Sequence, residues 1–303
     1  MKNALTIDFE DYYQVSAFSE TVIVDEWNAY SSRIENNTTK LLSMLDEGNA
    51  RATFFILGWV AEKYPKLIRE ISDSHHEIAC HSNVHRSVYT MGVGEFREDT
   101  RKAKEILEDI TGKSVFGYRA PSFSIKCNSL WAYEILAELG FSYDSSVFPI
   151  KHPNYGWPQA PRFPFKIRTA SGSIVEFPMA TLELVGMRAP LGGGAYLRLL
   201  PYWYTRWGLH YINTAEDRSA CIYLHPWELD SEQPRMRGSV SARLRHYLGL
   251  RGAESKFRRL LGDFQMQPLN SVIDALQLDS AGLPNGIPEV EFGGLVAYLD
   301  PSR

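Results

Sequence analysis

Two short clusters of acids and histidines carry the side chains in this sequence that could bind a metal ion. The acids Asp8, Glu10 and Asp11 follow the first apolar segment, and His81 and His85 lie four residues apart after a later one. Zinc and related divalent cations take imidazole nitrogens and carboxylate oxygens as ligands, and two histidines with one acid leave coordination positions open for water. Such an open site is typical of hydrolytic enzymes.

Each cluster alone has an ordinary structural interpretation. Histidines four residues apart occur on many helices and loops, and acids after a strand are common as turn and helix-capping residues. Both clusters, however, directly follow segments typical of buried strands, at residues 4–7 and 77–80. In (β/α) barrels the residues at the carboxyl ends of the strands converge on one site. The sequence therefore predicts that the two clusters meet at one end of a parallel sheet.

The elements that must position these side chains alternate through the first half of the chain. Apolar periodicity predicts helices at residues 37–47, 60–72, 94–111 and 129–139. Strands are predicted between them, at residues 52–56 and near residues 115–118. This alternation predicts an α/β fold with a parallel sheet and helices on its outside.

The second half of the chain has a different amino-acid composition. Residues 149–194 are rich in proline, glycine and aromatic residues, with a hairpin turn predicted at 170–173, and we expect an insertion over one face of the barrel. Residues 220–224 predict another buried strand, and a helix is predicted at 255–266. We expect residues 231–303 to form an extension packed on the same domain, with a loosely ordered tail after about residue 284.

Composition and charge limit the class of protein. The 303 residues are 44% apolar and 22% charged, with a formal net charge of -4, which gives no general basis for nucleic-acid binding. The three cysteines are widely spaced, so any disulfide would leave one thiol over, as is typical of the reducing cytoplasm. We see no signal segment at the amino terminus and no apolar run of membrane-spanning length. The sequence therefore predicts a cytoplasmic protein, and it makes no prediction of oligomeric state.

Three further motifs lie at predicted strand ends. They are Tyr-Arg-Ala-Pro-Ser at 118–122, Tyr-Asp-Ser-Ser at 143–146 and Leu-His-Pro-Trp-Glu at 224–228. Together with the acid and histidine clusters, this ordered set resembles the NodB-homology polysaccharide deacetylases, carbohydrate esterase family 4, over most of residues 1–230. The Asp-x-Glu-Asp-Tyr start, the glycines at 192–194 and the region around residues 246–247 are similar to the subgroup found in exosortase/PEP-CTERM exopolysaccharide loci.

The resemblance implies a fold and a reaction. The fold is a distorted (β/α)7-type barrel at residues 1–230, with the 149–194 insertion and a C-terminal helical extension. The reaction is metal-dependent removal of N-acetyl groups from N-acetylhexosamine units of an exopolysaccharide or its lipid-linked precursor. Two alternatives stay open, namely ring opening of a cyclic amide, as in allantoinase-like amidohydrolases, and glycan binding without catalysis.

The resemblance also implies a set of metal ligands. His81 and His85 match the two histidine ligands of the family, and one acid of the first cluster completes the site. Zinc is the expected metal, and cobalt, nickel or manganese would suit the same ligands.

The choice of acid is open, because the family's two adjacent aspartates are replaced here by Asp-Phe-Glu-Asp at 8–11. Side chains two apart in a strand share a face, so a strand running through Asp8 would make Asp8 the base and Glu10 the ligand. A turn at residue 9 would instead make Glu10 and Asp11 the functional pair. We expect Asp8 to be the base, with Glu10 or Asp11 on the metal.

The remaining roles are carried over by position. Arg119 would pair with the Asp8 carboxylate, hold its orientation and keep it ionised. His225 would protonate the leaving amine, and Asp144 would orient or charge its imidazole. The residues expected to contact substrate are Pro121, Ser122 and Trp227.

A basic segment near the carboxyl terminus has no role in this scheme. Eight basic residues and the single acid Glu254 lie between Arg235 and Arg259. The ordinary interpretation is a solvated helix face. The alternative is contact with anionic lipid head groups or a glycan-linked diphosphate at the inner face of the membrane.

Overall fold

The strands follow the apolar segments of the sequence. The computed structural model describes residues 1–152, 155–280 and 289–291. Its strands are β1 (Asn3–Phe9), β2 (Thr53–Ile56), β3 (Glu77–Cys80), β4 (Gly117–Tyr118), β5 (Tyr143–Asp144), β6 (Phe165–Arg168), β7 (Ser173–Glu176), β8 (Thr181–Leu184), β9 (Met187–Pro190), β10 (Cys221–Leu224), β11 (Met266–Gln267) and β12 (Glu289–Glu291).

Seven strands of the main sheet run parallel, in the order β10-β1-β2-β3-β4-β5-β7. Every residue of β1 is buried, as expected for a parallel sheet that is covered on both faces. The sheet curls into a half barrel, which confirms the predicted (β/α)7-type fold. The carboxyl ends of β1 and β3 therefore open on the same edge of the sheet.

Helices connect and cover the strands. They are α1 (Ile34–Glu47), α2 (Gly58–Lys63), α3 (Pro65–Asp73), α4 (Val93–Thr111), α5 (Ala132–Glu138), α6 (Gly194–Leu199), α7 (Tyr202–Thr214), α8 (Val240–Tyr247), α9 (Leu250–Asp263) and α10 (Leu269–Ser280). None of the helices in the described ranges has both the length and the apolar character needed to cross a bilayer.

Two predicted helices differ from the structure. The segment 60–72 forms α2 and α3 instead of one helix, because Pro65 has no N–H and the residue before it, Tyr64, leaves the helical region at φ -126° and ψ 52°. The helix predicted at 255–266 begins earlier, at Leu250, and ends at Asp263. Met266 lies instead in β11, which pairs with β1.

The segment 149–194 contains four strands, β6 to β9, which make up 16 of its 46 residues, and its place over one face of the barrel stays a prediction. The predicted turn at 170–173 joins β6 and β7, which pair antiparallel with Arg168 opposite Ser173. β7 then continues the parallel sheet beside β5, and β8 and β9 form a separate hairpin. Among the described residues of this segment, Tyr155 lines the cavity described below.

The C-terminal segment packs on the same sheet. β11 pairs with β1, and α9 contacts the Pro226–Leu229 turn that follows β10. The tail predicted after residue 284 lies outside the described residues, except for 289–291, which pair with β6 as β12.

His76, just before β3, predicts a pH-dependent stability. Its side chain is buried, and its Nδ1 accepts a hydrogen bond from the Ala52 N–H at 3.2 Å. Burial lowers the pKa of the imidazole to about 4. Because histidine in the unfolded chain titrates near 6.5, the unfolded state takes up a proton between pH 6.5 and 4 while the folded state does not. Stability is therefore lost as the pH falls through this window.

The variant His76→Asn keeps an acceptor near Nδ1 and removes the titration. We expect the free energy of unfolding of the wild type to fall by about 2 kcal/mol more than that of the variant between pH 7 and pH 4.5. Urea titrations of both proteins at the two pH values measure this difference. Equal pH dependence in the two proteins would refute the prediction.

Candidate metal and catalytic site

The acid and histidine clusters meet at the carboxyl edge of the sheet. Glu10 follows β1, and His81 follows β3. Glu10, His81 and His85 each place one ligand atom within 4.8 Å of the others, and within the described residues they form the group that could hold a metal ion. The predicted convergence of the two clusters is thus present in the structure.

Glu10, and not Asp11, is the acid of this group. Strand β1 continues through Phe9, which corresponds to the first of the two alternatives for the acid cluster. The Asp11 carboxylate turns toward the start of α1, where Oδ2 accepts hydrogen bonds from Ser32 Oγ at 2.7 Å and from the Arg33 N–H at 2.9 Å. Asp11, which the sequence offered as an alternative ligand, is not part of this group, because its oxygens hold the loop that leads into α1.

The protonation states of this group suit a divalent cation. The Nδ1 of His81 donates to the carbonyl oxygen of Arg119 at 2.8 Å, so its Nε2 keeps a free lone pair. Burial lowers the pKa of His81 to about 4. Burial alone would raise the pKa of Glu10, but the neighbouring histidines, His85 first, outweigh it and lower the value to about 2. Neutral imidazole and ionised carboxylate are the forms that bind metal.

A half-buried carboxylate, that of Asp99, holds the loop between the two histidines. Ser82 and His85 have φ values of 70° and 51°, a region that residues other than glycine rarely adopt. Asp99 of α4 holds the loop, since its Oδ2 accepts hydrogen bonds from Ser82 Oγ at 2.6 Å and from the Asn83 N–H at 2.8 Å. The sequence had shown no sign of this role, because Asp99 lies among the many charged residues of a surface helix.

Asp8 and Arg119 form the predicted ion pair. The guanidinium is fully buried, and its Nη1 donates to Asp8 Oδ1 at 2.7 Å. The remaining donors reach Thr6 Oγ1, both oxygens of Ser145 and Cys221 Sγ. Asp8 Oδ2 lies 4.0 Å from His225 Nε2, so one carboxylate oxygen is held by arginine and the other faces the site.

The His225 imidazole lies beside the Glu228 carboxylate. Its Nδ1 lies 3.3 Å from Glu228 Oε2, and its Nε2 lies 3.5 Å from Glu10 Oε1. Burial would lower the pKa of His225, but Glu228, Glu10 and Asp8 outweigh burial and raise it to about 9. Glu228 is fully buried and is paired in turn with Arg198 Nε at 2.6 Å.

Asp144, predicted as the partner of His225, lies elsewhere in the network. It stands opposite Glu176 in the pairing of β5 with β7, and the two carboxyl groups are hydrogen-bonded to each other. Burial and the neighbouring Asp144 carboxyl raise the pKa of Glu176 well above its usual range. Ser146 Oγ also donates to Asp144, at 2.7 Å. Asp144 is therefore bonded within the sheet, and Glu228 is the carboxylate that lies beside the His225 ring.

A cavity of about 170 Å³ opens at these side chains. Two of the three predicted substrate-contacting residues, Ser122 and Trp227, line it, whereas Pro121 is buried and is absent from its lining. The Trp227 ring stacks between those of His225 and His246, with ring centroids 5.0 Å and 4.1 Å away. The lining also includes Asp8, Glu10, Ser16, His81, His85, Tyr155, Arg198, Tyr223, Glu228, Arg245 and His246.

Sequence reasoning missed three contributors to this half of the site. Glu228 belongs to the quoted 224–228 motif, and its spacing of three residues from His225 was the available signal. Arg198 and His246 do not belong to any of the five motifs that predicted the site. The fold brings both residues to the cavity.

The comparisons with known proteins divide the chain near residue 144. Residues 9–143 match the family model for polysaccharide deacetylase, and residues 145–274 match a domain of unknown function, DUF3473. A peptidoglycan-N-acetylglucosamine deacetylase of Bacillus cereus is 36% identical over 98 residues, which are 32% of this chain and 36% of that protein. A peptidoglycan deacetylase of Helicobacter pylori is 31% identical over 110 residues, which are 36% of each protein.

The chain thus spans about a third of the length of the curated relatives it matches. A crystal structure from Mycobacterium smegmatis matches with a TM-score of 0.58 at 19% identity, and its title describes a polysaccharide deacetylase. That match covers 92% of both chains and shows a shared fold. The exosortase-linked subgroup stays a prediction. Residues 9–143 are thus similar to the polysaccharide deacetylase family.

Proposed function

We propose that this protein is a metal-dependent hydrolase that removes N-acetyl groups from N-acetylhexosamine units of a glycan. The observation that carries the proposal is the meeting of three groups at one cavity: a His-His-Glu cluster, an arginine-held aspartate and a half-buried histidine. The natural substrate that we propose is an exopolysaccharide or its lipid-linked precursor. The match of residues 9–143 to the family model and the names of both curated relatives support the reaction class.

Glu10, His81 and His85 would hold the cation, for which zinc is the expected identity. When bound, a divalent ion polarises an amide carbonyl and makes water a stronger acid.

Asp8 is the general base of the proposed reaction. Its Oδ1 is fixed by Arg119, and the adjacent cation favours the ionised carboxylate. Its Oδ2 faces the cavity and can accept the proton of an attacking water. Because Arg119 is itself held by Thr6 and Ser145, the carboxylate cannot rotate away from this position.

His225 is the general acid. Its imidazolium is favoured by the buried Glu228 carboxylate, and stacking on Trp227 fixes the plane of its ring. Its Nε2 faces Asp8 and Glu10, the side on which an amide nitrogen would leave. A proton delivered there lets the amine leave as a neutral group.

The first test is acetate release from N-acetylglucosamine oligomers. We expect the purified protein to lose activity when metal is stripped and to regain it with zinc or cobalt, whereas His81→Ala stays inactive under both conditions. Acetate is the diagnostic product, because a cyclic-amide hydrolase would yield a ring-opened acid and a glycan-binding protein would yield neither. Tight metal binding with no acetate from any oligomer would count against the proposal.

A further inference from the structure

The basic segment 235–259 divides into two parts. Its later residues are bound to the protein, since Arg258 pairs with Glu47 and Glu254, and Arg259 lies 4.3 Å from the centre of the Tyr202 ring. The Nζ of Lys256 donates to three backbone carbonyls between residues 197 and 200. These cations stabilise the packing of α9 and are not available to a partner.

The earlier part is different. Residues 235–251 contain five arginines and no acid. All five are exposed, and in the described part of the chain none of them forms an ion pair: Arg235, Arg237, Arg243, Arg245 and Arg251. On a chain with a net charge of -4, this is a local concentration of unneutralised positive charge.

Helix α8 presents apolar side chains to solvent within this basic region. Val240 and Leu244 of the helix and Leu248, which directly follows it, are spaced four residues apart and are 72%, 58% and 55% exposed. The opposite face of the helix is packed, because Ala242 is buried and the His246 ring lies 4.9 Å from that of Phe18. The exposed face therefore belongs to an ordered helix and not to a frayed segment.

The cations and the apolar side chains form one surface. Arg235 and Arg243 line a groove together with Val240, Leu244, Tyr247 and Leu248. Exposed aliphatic side chains beside arginines are typical of helices that lie in the interface of an anionic bilayer. A hydrophilic polyanion would use the arginines but would gain nothing from burying two leucines and a valine.

We propose that this surface, α8 with Arg235 and Leu248, docks on an anionic lipid bilayer. The apolar stripe enters the boundary between head groups and acyl chains, and the arginines contact lipid phosphates. Arg245 and His246 of the same helix line the catalytic cavity, so docking brings the cavity mouth to the membrane surface. The docking does not depend on the proposed deacetylation, but it would bring a lipid-linked glycan to the site.

Vesicle co-sedimentation of the full chain tests the proposal. The vesicles are phosphatidylcholine alone or phosphatidylcholine with about one third phosphatidylglycerol. We expect binding to the anionic vesicles, weakened roughly 25-fold in Arg235→Gln/Arg243→Gln, at about fivefold for each arginine. Leu244→Ser/Leu248→Ser should weaken it by roughly tenfold or more, because two apolar side chains no longer enter the bilayer.

The matched control combines Lys102→Gln with Phe116→Ser. Both side chains are exposed. Lys102 lies on α4, and Phe116 lies just before β4, at the amino end of the sheet and opposite the cavity. The control should bind vesicles as the wild type does, and all variants should release acetate from soluble oligomers at the wild-type rate. A lost acetate signal with retained vesicle binding would therefore count against the proposed reaction and not against the docking.

Three outcomes would overturn the docking proposal. One is vesicle binding that is absent, or equal in the wild type and both α8 variants. Another is binding that depends on the arginines alone, which would point to a soluble polyanion. The third is a dimer in vesicle-free sedimentation that Leu244→Ser/Leu248→Ser dissociates, which would make this face a contact between two copies of the chain.

Discussion

Replacing Asp8 by asparagine should slow acetate release by roughly a hundred- to ten-thousandfold while leaving metal affinity nearly unchanged. The amide retains the size of the carboxylate, and its oxygen can still accept the hydrogen bond from Arg119, but it cannot take a proton from water. Because Asp8 is not in the Glu10-His81-His85 group, the variant should still bind metal. Single-turnover acetate release and equilibrium metal binding, measured on the same preparation, separate these two effects.

Stability must be measured alongside, because Asp8→Asn leaves a buried guanidinium without its anion. Removing one partner of a buried ion pair costs about 3–5 kcal/mol in the free energy of unfolding. Asp144→Asn is a suitable comparison, since Asp144 is also buried at the end of a strand but is bonded to Ser146 and Glu176. We expect it to lose stability and to keep most of its turnover. A large rate loss in Asp144→Asn with an unchanged rate in Asp8→Asn would reverse our assignment.

The second large effect is on metal affinity. Glu10→Gln should weaken zinc binding by more than about a hundredfold, because loss of an outer partner alone typically costs 10- to 100-fold and here a ligand itself is removed. Asp11→Asn should bind zinc as tightly as the wild type, since its oxygens hold Ser32 and the start of α1. Competition with a chromophoric chelator measures both affinities.

The paired variants also distinguish a ligand from a structural acid. Asp11→Asn should lower the free energy of unfolding by about 1 kcal/mol, the usual cost of a weakened loop or cap hydrogen bond. If Asp11→Asn lost zinc to the same degree as Glu10→Gln, the assignment of Glu10 as the acidic ligand would have to be abandoned.

The sequence predicted the parallel sheet well because each strand is a short apolar segment between two helical ones. It could not decide between Glu10 and Asp11, because that choice depends on where β1 stops, and a strand end is set by its neighbours and not by its own residues. Asp144 illustrates the same limit. Its partner is set by the pairing of β5 with β7 across about thirty residues, and nothing local to residues 143–146 reports that register.

The break at Pro65 shows a different kind of error. The proline was visible in the sequence, and the apolar periodicity on both sides concealed its effect on the helix. The pairing of Arg198 with Glu228 could not be predicted for another reason. Thirty residues separate the two side chains, and their pairing requires α6 to pack beside the turn that follows β10.

The proposed catalytic cavity draws on both of the segments that match separate family models. The acids and the histidine pair come from the amino-terminal half, whereas Arg198, His225, Glu228 and His246 all come from residues 145–274. A genetic crossover near residue 144 between two homologues would therefore join the proposed base of one parent to the proposed proton donor of the other, even if both halves of the recombinant folded. Selection for turnover would thus act on the two halves together. Each half should remain active only when it is combined with a half that has evolved with it.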